Sequence, residues 1–410
     1  MKSRLHKIEI TNFKAFREFS LGLEGRHLLV YGPNGSGKSS LYWALYTFLQ
    51  SAQKPRGFIS KYFDADHPEK LLNIHEDPVG VPGKIALTLR HDNGDETMCI
   101  SQTQHDTFRK PVISKGDLAS DFVTYRFFFG FSDFSNSDTF DLWPLFEKEI
   151  LPSCVAVGGD NPLECWNKIK SGDPNPRGAR GTGGSNAYYN FKSHTQAFAA
   201  ILPGIVDSIS DEAQKFYDAH FSGDDSSPIK LILKVTTLPL ARGTNGHNFN
   251  FTRPKIGFGI LVDGHPISKP QSYLNEAKLT QVALSVRFAA SLVNLDVSDL
   301  KLLVLDDLLV SLDMSNRMRV VDILLSEQFA DYQKIIMTHD LGFFRELRRV
   351  IGNDHTDWCF RRLQPHTCPT PNSSAAKAWA AESAAWSTPS KRAELQMKTL
   401  SARTPTIAVM

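Results

Sequence analysis

The sequence predicts an α/β fold built around a parallel sheet, with a β-rich N-terminal lobe and a helical insertion. Three observations carry this. The apolar run His27 to Tyr31 empties into a glycine-rich loop followed by a helical period. A second run, Lys301 to Leu305, ends in two aspartates, and a third, Ile335 to Thr338, ends in a histidine. Apolar runs alternating with helical patterns, rather than strict period-two strands, are what a parallel sheet covered on both faces requires.

The elements follow in order. Two short strands, near Lys7 to Ile10 and Phe16 to Leu23, join through Asn12-Phe13-Lys14-Ala15 as a hairpin. After the glycine loop, Leu41, Ala44, Leu45, Phe48 and Leu49 recur at helical spacing. Strands at Lys84 to Arg90 and Thr97 to Gln102 complete a β-rich lobe over 1–141. Helices are expected over Asp141 to Ser171 and Ala187 to Phe221, parted by a Pro/Gly/Arg stretch, which makes 142–222 a helical insertion. A C-terminal lobe, 223–362, carries strands at Ile229 to Thr236 and Ile256 to Val262, a helix near Asn275 to Asn294, and the two apolar strands already named. These strands, with their intervening helices, are expected to run parallel. The composite unit thus spans 1–362, and the Ala/Ser/Thr/Pro-rich tail, 363–410, shows no apolar periodicity.

Composition narrows the class. Apolar residues make up 41% and charged residues 22%, which excludes a disordered chain, and a net charge of +2 excludes a protein that coats polyanions over its whole surface. No stretch reaches the roughly 18 apolar residues of a membrane span, and the start lacks a signal-peptide core, so a cytoplasmic protein without membrane partners is expected. Cys99, Cys154, Cys165, Cys359 and Cys368 form no C-x-x-C pair, which argues against structural zinc.

Gly32-Pro33-Asn34-Gly35-Ser36-Gly37-Lys38-Ser39 matches the P-loop pattern G-x-x-x-x-G-K-[ST] at every fixed position, between strand and helix as phosphate binding requires. Gly35 and Gly37 let backbone N–H groups turn toward phosphates, Lys38 supplies the mobile cation, Ser39 is placed to ligate Mg²⁺, and Ser40 closes the loop. The expected ligands are therefore ATP and Mg²⁺. Asp306, at the end of its apolar strand, is the expected metal-linked carboxylate, and Asp307 the base that orients water.

These motifs, in this order, resemble the ABC ATPase heads of the SMC and RecF families. The resemblance implies a P-loop NTPase of ABC type that hydrolyses ATP. It implies further that a basic residue of the opening hairpin, Lys14 or Arg17, contacts nucleotide. It makes Ser311-Leu312-Asp313 the D-loop, with Asp313 its acid, and His339 the switch histidine on the γ-phosphate. The signature departs from the family: Tyr273-Leu274-Asn275-Glu276 stands where Ser-Gly-Gly-Glu is usual, so Asn275 and Glu276 would offer the contact to a partner's phosphate. Thr124-Tyr125-Arg126 falls near the family's glutamine loop without matching it. Asp307 is one methylene shorter than the usual glutamate.

Partners implied by the resemblance are a homodimer or higher homo-oligomer formed through the heads, DNA, and a separate effector polypeptide in genome maintenance or anti-phage defence. Arg177, Arg180 and Lys192 flank the tip of the insertion as bases for DNA phosphates. The alternative is a regulatory or scaffold subunit that holds ATP with little turnover. The insertion is too short for long coiled-coil arms, and no guanine-reading Asn-Lys-x-Asp is present.

Overall fold

The computed structural model describes residues 3–76, 80–124, 141–151, 154, 162–172, 186–224, 227–238, 241–242, 249–250, 252–267, 269–293, 298–307, 314–352 and 356–364. The chain divides into two units, Met1–Leu363 and Gln364–Met410, and the elements below belong to the first.

Strands β1 (Arg4–Phe13) and β2 (Phe16–Gly22) form the predicted hairpin, with Phe13 opposite Phe16. The turn needs left-handed backbone at Asn12 and Lys14, φ 45° and 50°. The Asn12 side chain holds it, donating to the Val81 carbonyl at 2.6 Å and accepting from the Asn73 N–H at 3.0 Å. Strand β3 (His27–Tyr31) leads through the P-loop into helix α1 (Lys38–Gln50), and a short helix α2 (Arg56–Ser60) follows. Strands β4 (Lys84–His91) and β5 (Gly94–Ser101) complete an antiparallel sheet in the order β2-β1-β4-β5. Its Leu5, Ile8, Ile10, Ile85, Leu87 and Leu89 share one core with Leu41, Leu45 and Phe48 of α1.

Helix α3 (Pro111–Ala119) precedes β6 (Asp121–Thr124), and α4 (Pro162–Ser171) and the 35-residue α5 (Asn186–His220), which carries Pro203, follow. Strands β7 (Ile229–Thr237), β8 (Ala241–Arg242), β9 (Phe249–Asn250), β10 (Lys255–Val262) and β11 (His265–Ile267) come next. Helix α6 (Glu276–Val293), β12 (Leu302–Asp306), α7 (Met314–Leu325), β13 (Gln333–Thr338), α8 (Leu341–Ile351) and β14 (Trp358–Arg362) close the unit.

The central sheet runs β14-β3-β13-β12-β6 with every neighbour parallel. Alternate residues of one strand enter two separate cores: Leu303 and Leu305 one, Leu302 and Val304 the other. That two-sided burial is why β12 and β13 read as unbroken apolar runs. The expectation that β7 and β10 join this parallel sheet is corrected. They pair antiparallel in a separate sheet, β11-β10-β7, and Lys255–Val262 alternates buried and half-buried positions as a one-sided strand must. The edge strand β14 was not expected from the sequence, because five residues ending in two arginines carry almost no periodic signal.

Candidate functional site

The site forms where β3, β13 and β12 end side by side. Thr338 pairs with Tyr31 and Asp306 with Met337, so Gly32, His339 and Asp307 all leave the sheet at its carboxyl edge, where open α/β sheets bind ligands. The Gly32 N–H donates to the Thr338 carbonyl at 3.0 Å and the Asp307 N–H to the Met337 carbonyl at 3.1 Å, which stitches the three strand ends together.

The loop adopts the backbone its glycines permit. Gly35 and Gly37 have φ of 81° and 99°, and a Cβ on Gly37 would stand 2.8 Å from the Phe16 ring. The opening hairpin is thus packed against the P-loop. Ser36 buries a hydroxyl with no partner. Lys38, 5% exposed, donates to the carbonyls of Gly32 at 2.7 Å and Pro33 at 3.3 Å, and lies 3.6 Å from Asp307 Oδ2.

Asp307 sits in left-handed backbone, φ 52°. A non-glycine residue there is uncommon, though aspartate is among those that adopt it, at a cost of order 1 kcal/mol. Its Oδ1 accepts the His339 N–H at 2.9 Å, and His339 Nδ1 lies 3.0 Å from the same oxygen, at an angle outside hydrogen-bond geometry. Asp306 is buried. Burial raises its pKa first, the Ser39 hydroxyl bonded to it opposes that, the Asp307 charge raises it further and Lys38 lowers it. Asp306 Oδ1 has no partner.

The remaining predicted residues distribute as follows. Ser40 is buried, and its hydroxyl accepts the Ala15 N–H at 3.2 Å, so it ties the hairpin turn to α1. Lys14 holds its ammonium 5.4 Å from the Trp43 ring centre, with its pKa lowered by burial. Arg17 is exposed, donating to the His75 carbonyl at 3.3 Å and lying 3.5 Å from Glu76. Pro33 and Asn34 form the outer loop. Asn275 caps α6, its Oδ1 accepting the Lys278 N–H at 2.8 Å, with Glu276 exposed in the first turn. Lys192 is exposed on α5. Asp313, Tyr125, Arg126, Arg177 and Arg180 lie outside the described residues.

Sequence reasoning missed the polar ties behind the site. Asp340 caps α8 through the Phe343 N–H at 3.0 Å and accepts from Arg317 of α7 at 2.6 Å, and both contacts hold its pKa down. The neighbouring Asn316 accepts from Gln281 of α6 at 2.9 Å. Further along α6, Arg287 pairs with Asp121 of β6 in the interior. The aspartate directly after His339, three residues before an apolar helix face, was a legible capping signal. The other pairings join positions 23 to 166 residues apart and leave no local trace.

The family model for the RecF/RecN/SMC N-terminal domain matches residues 4–359. The chain belongs to that family. The head just described therefore has the SMC/RecF-like ABC ATPase fold that the motif order implied. Over 147 residues it is 33% identical to the chromosome partition protein Smc of Methanocaldococcus jannaschii, covering 28% of this chain and 13% of that protein. Over 95 residues it is 32% identical to structural maintenance of chromosomes protein 1 of Caenorhabditis elegans, covering 23% and 7%. The head thus spans a small part of these relatives. Among solved structures, an Smc head bound to the C-winged-helix domain of ScpA matches with TM-score 0.42 and 14% identity, over 83% of this chain and 92% of that one. RecF with ATP matches with TM-score 0.39 and 15% identity over the same shares.

The donor set fits a magnesium nucleotide. The unpartnered Asp306 oxygen and the Ser39 hydroxyl bonded to its carboxyl are oxygen donors of the kind magnesium takes. Magnesium commonly takes one or two protein oxygens and fills the rest of its shell from phosphates and water.

Proposed function

We propose that this head binds ATP with Mg²⁺ and hydrolyses it. The observation that carries the reading is the convergence of Lys38, Asp306, Asp307 and His339 at one sheet edge, with Asp307 reaching both Lys38 and His339. When ATP binds, the Lys38 ammonium exchanges its carbonyl partners for β- and γ-phosphate oxygens, which are stronger acceptors. Ser39 and Asp306 would hold Mg²⁺, which neutralises charge developing on the transferring phosphoryl group. Asp307 orients the attacking water and accepts its proton, and His339 steadies the γ-phosphate. Lys14 or Arg17 contacts the nucleotide from the hairpin.

A second copy completes the site in this reading. Asn275 and Glu276 at the N-terminus of α6 cap the first copy's γ-phosphate, with Asp313 as the D-loop acid that couples the two copies, so ATP holds a homodimer or larger homo-oligomer and hydrolysis releases it. The cycle serves DNA or a separate effector in the cytoplasm, in genome maintenance or anti-phage defence. Steady-state ATP turnover compared between the wild-type chain and Lys38→Ala tests the first step; equal rates would sink it.

A slower, regulatory cycle is favoured by one specific feature. Asp307 is already engaged with Lys38 and with the His339 backbone, and it is shorter than the glutamate usual in the family. A head that binds ATP tightly yet turns over only when an effector is added would support that form over the first.

A further inference from the structure

At the opposite end of the sheet, the amino ends of the parallel strands border an open pocket of about 430 Å³. That size falls within the range of small-molecule sites. Its walls come from Leu325 at the end of α7, from Val350 and Ile351 at the end of α8, and from His27 and Trp358, the first residues of β3 and β14. The His27 and Trp358 rings pack 4.8 Å apart.

The cavity also includes Lys334, only 4% exposed. Its ammonium donates to the Phe329 carbonyl at 2.8 Å. Burial and the Arg4 charge depress its pKa to about 8, and among the described residues no carboxylate opposes that shift. An ammonium has three protons to donate, and a buried charge without a counter-ion is costly by several kcal/mol. Arg4 acts on His27 as well, while Asp331 and Asp357 act on Arg4 rather than on Lys334. The acids that line the cavity, Glu327 and Asp357, are exposed, where water screens them. A buried cation beside aromatic and aliphatic walls matches one ligand chemistry, an anionic head on an apolar body.

We propose that this cavity is a second ligand site, which takes a small organic anion, a carboxylate or phosphomonoester, with its head on Lys334 and its body against Trp358, Val350 and Leu325. The site uses no P-loop residue and stands whether or not the head hydrolyses ATP.

The test is calorimetric titration of the full chain carrying Lys38→Ala, which removes the P-loop's own affinity for phosphate. The probes are phenyl phosphate, benzoate and inorganic phosphate. At least one of the two aromatic anions is expected to bind more tightly than inorganic phosphate. Lys334→Met, which replaces a buried charge by a similar apolar shape and so should fold, is expected to weaken that binding about 10- to 100-fold, the usual worth of a charged hydrogen bond. Trp358→Phe, which keeps an apolar wall, is expected to weaken it less. No binding of either aromatic anion, or unchanged binding in Lys334→Met, overturns the proposal; inorganic phosphate binding as tightly as phenyl phosphate overturns the assignment of an apolar body.

Discussion

Asp307 combines three demands in one side chain: left-handed backbone, acceptance of the His339 N–H, and a negative charge 3.6 Å from Lys38. Asparagine tolerates the same backbone and still accepts the bond, so Asp307→Asn should fold like wild type and bind ATP at least as tightly. Its turnover should fall about 10²- to 10⁴-fold, the worth of a lost general base; single-turnover hydrolysis checks this, and wild-type rates would remove Asp307 from the chemistry. Gly37 is constrained differently. Alanine there needs φ near 99° and a Cβ 2.8 Å from the Phe16 ring, so Gly37→Ala should displace the loop or the hairpin and abolish ATP binding in equilibrium titration. The P-loop, Asp306, Asp307 and His339 were legible as residues because phosphate chemistry demands particular groups at fixed offsets. The Lys14 contact with Trp43 and the Ser40 bond to the hairpin were not, since each joins a turn to a helix far along the chain.

Between elements, buried polar pairs set α6 relative to the sheet. Arg287 is 2% exposed and its partner Asp121 4%. Removing one partner strands the other charge in the interior, so Arg287→Met should cost about 3–5 kcal/mol, and the double change with Asp121→Leu clearly less. Urea denaturation of the three variants measures the difference; equal costs would show that the pair is not coupled. At the amino end of the sheet, His27 Nδ1 accepts the Lys334 N–H at 2.9 Å, and burial, then Lys334 and Arg4, lowers the His27 pKa to about 3. The unfolded chain, with histidine near 6.5, binds more protons between those values. Stability from this contact is therefore complete above pH 6.5 and lost as pH falls toward 3. His27→Gln, whose amide oxygen can accept the same bond without titrating, should flatten that acid slope by about 2–4 kcal/mol in denaturation series from pH 7 to 4. Element types were largely readable, since α1, β3, β12 and β13 carry strong periodic or apolar signals. The direction of β7 and β10 was not, because an apolar strand reads alike in parallel and antiparallel pairing until its partner is known.

For the molecule as a whole, the prediction concerns assembly. If ATP joins two heads, Asp307→Asn with MgATP should sediment as a dimer, while Lys38→Ala remains a monomer under the same conditions. A monomer in both cases would remove nucleotide-driven dimerisation and leave the regulatory cycle. Contacts run from Lys38 through Asp307, His339, Asp340 and Arg317 to α7, and from Asn316 to Gln281 of α6, the helix that Asn275 caps. The sequence by itself determined which candidate groups this head carries and at what spacing, because glycine backbone freedom, a strand-end carboxylate and a strand-end histidine are local requirements written at fixed offsets. Only the tertiary structure decided that these groups share one edge, that the opening hairpin rests on the P-loop, and that a buried, unbalanced Lys334 lines a cavity at the far end. Each of those depends on strand order and side-chain packing between distant segments, and burial and charge balance exist only once the chain has closed on itself.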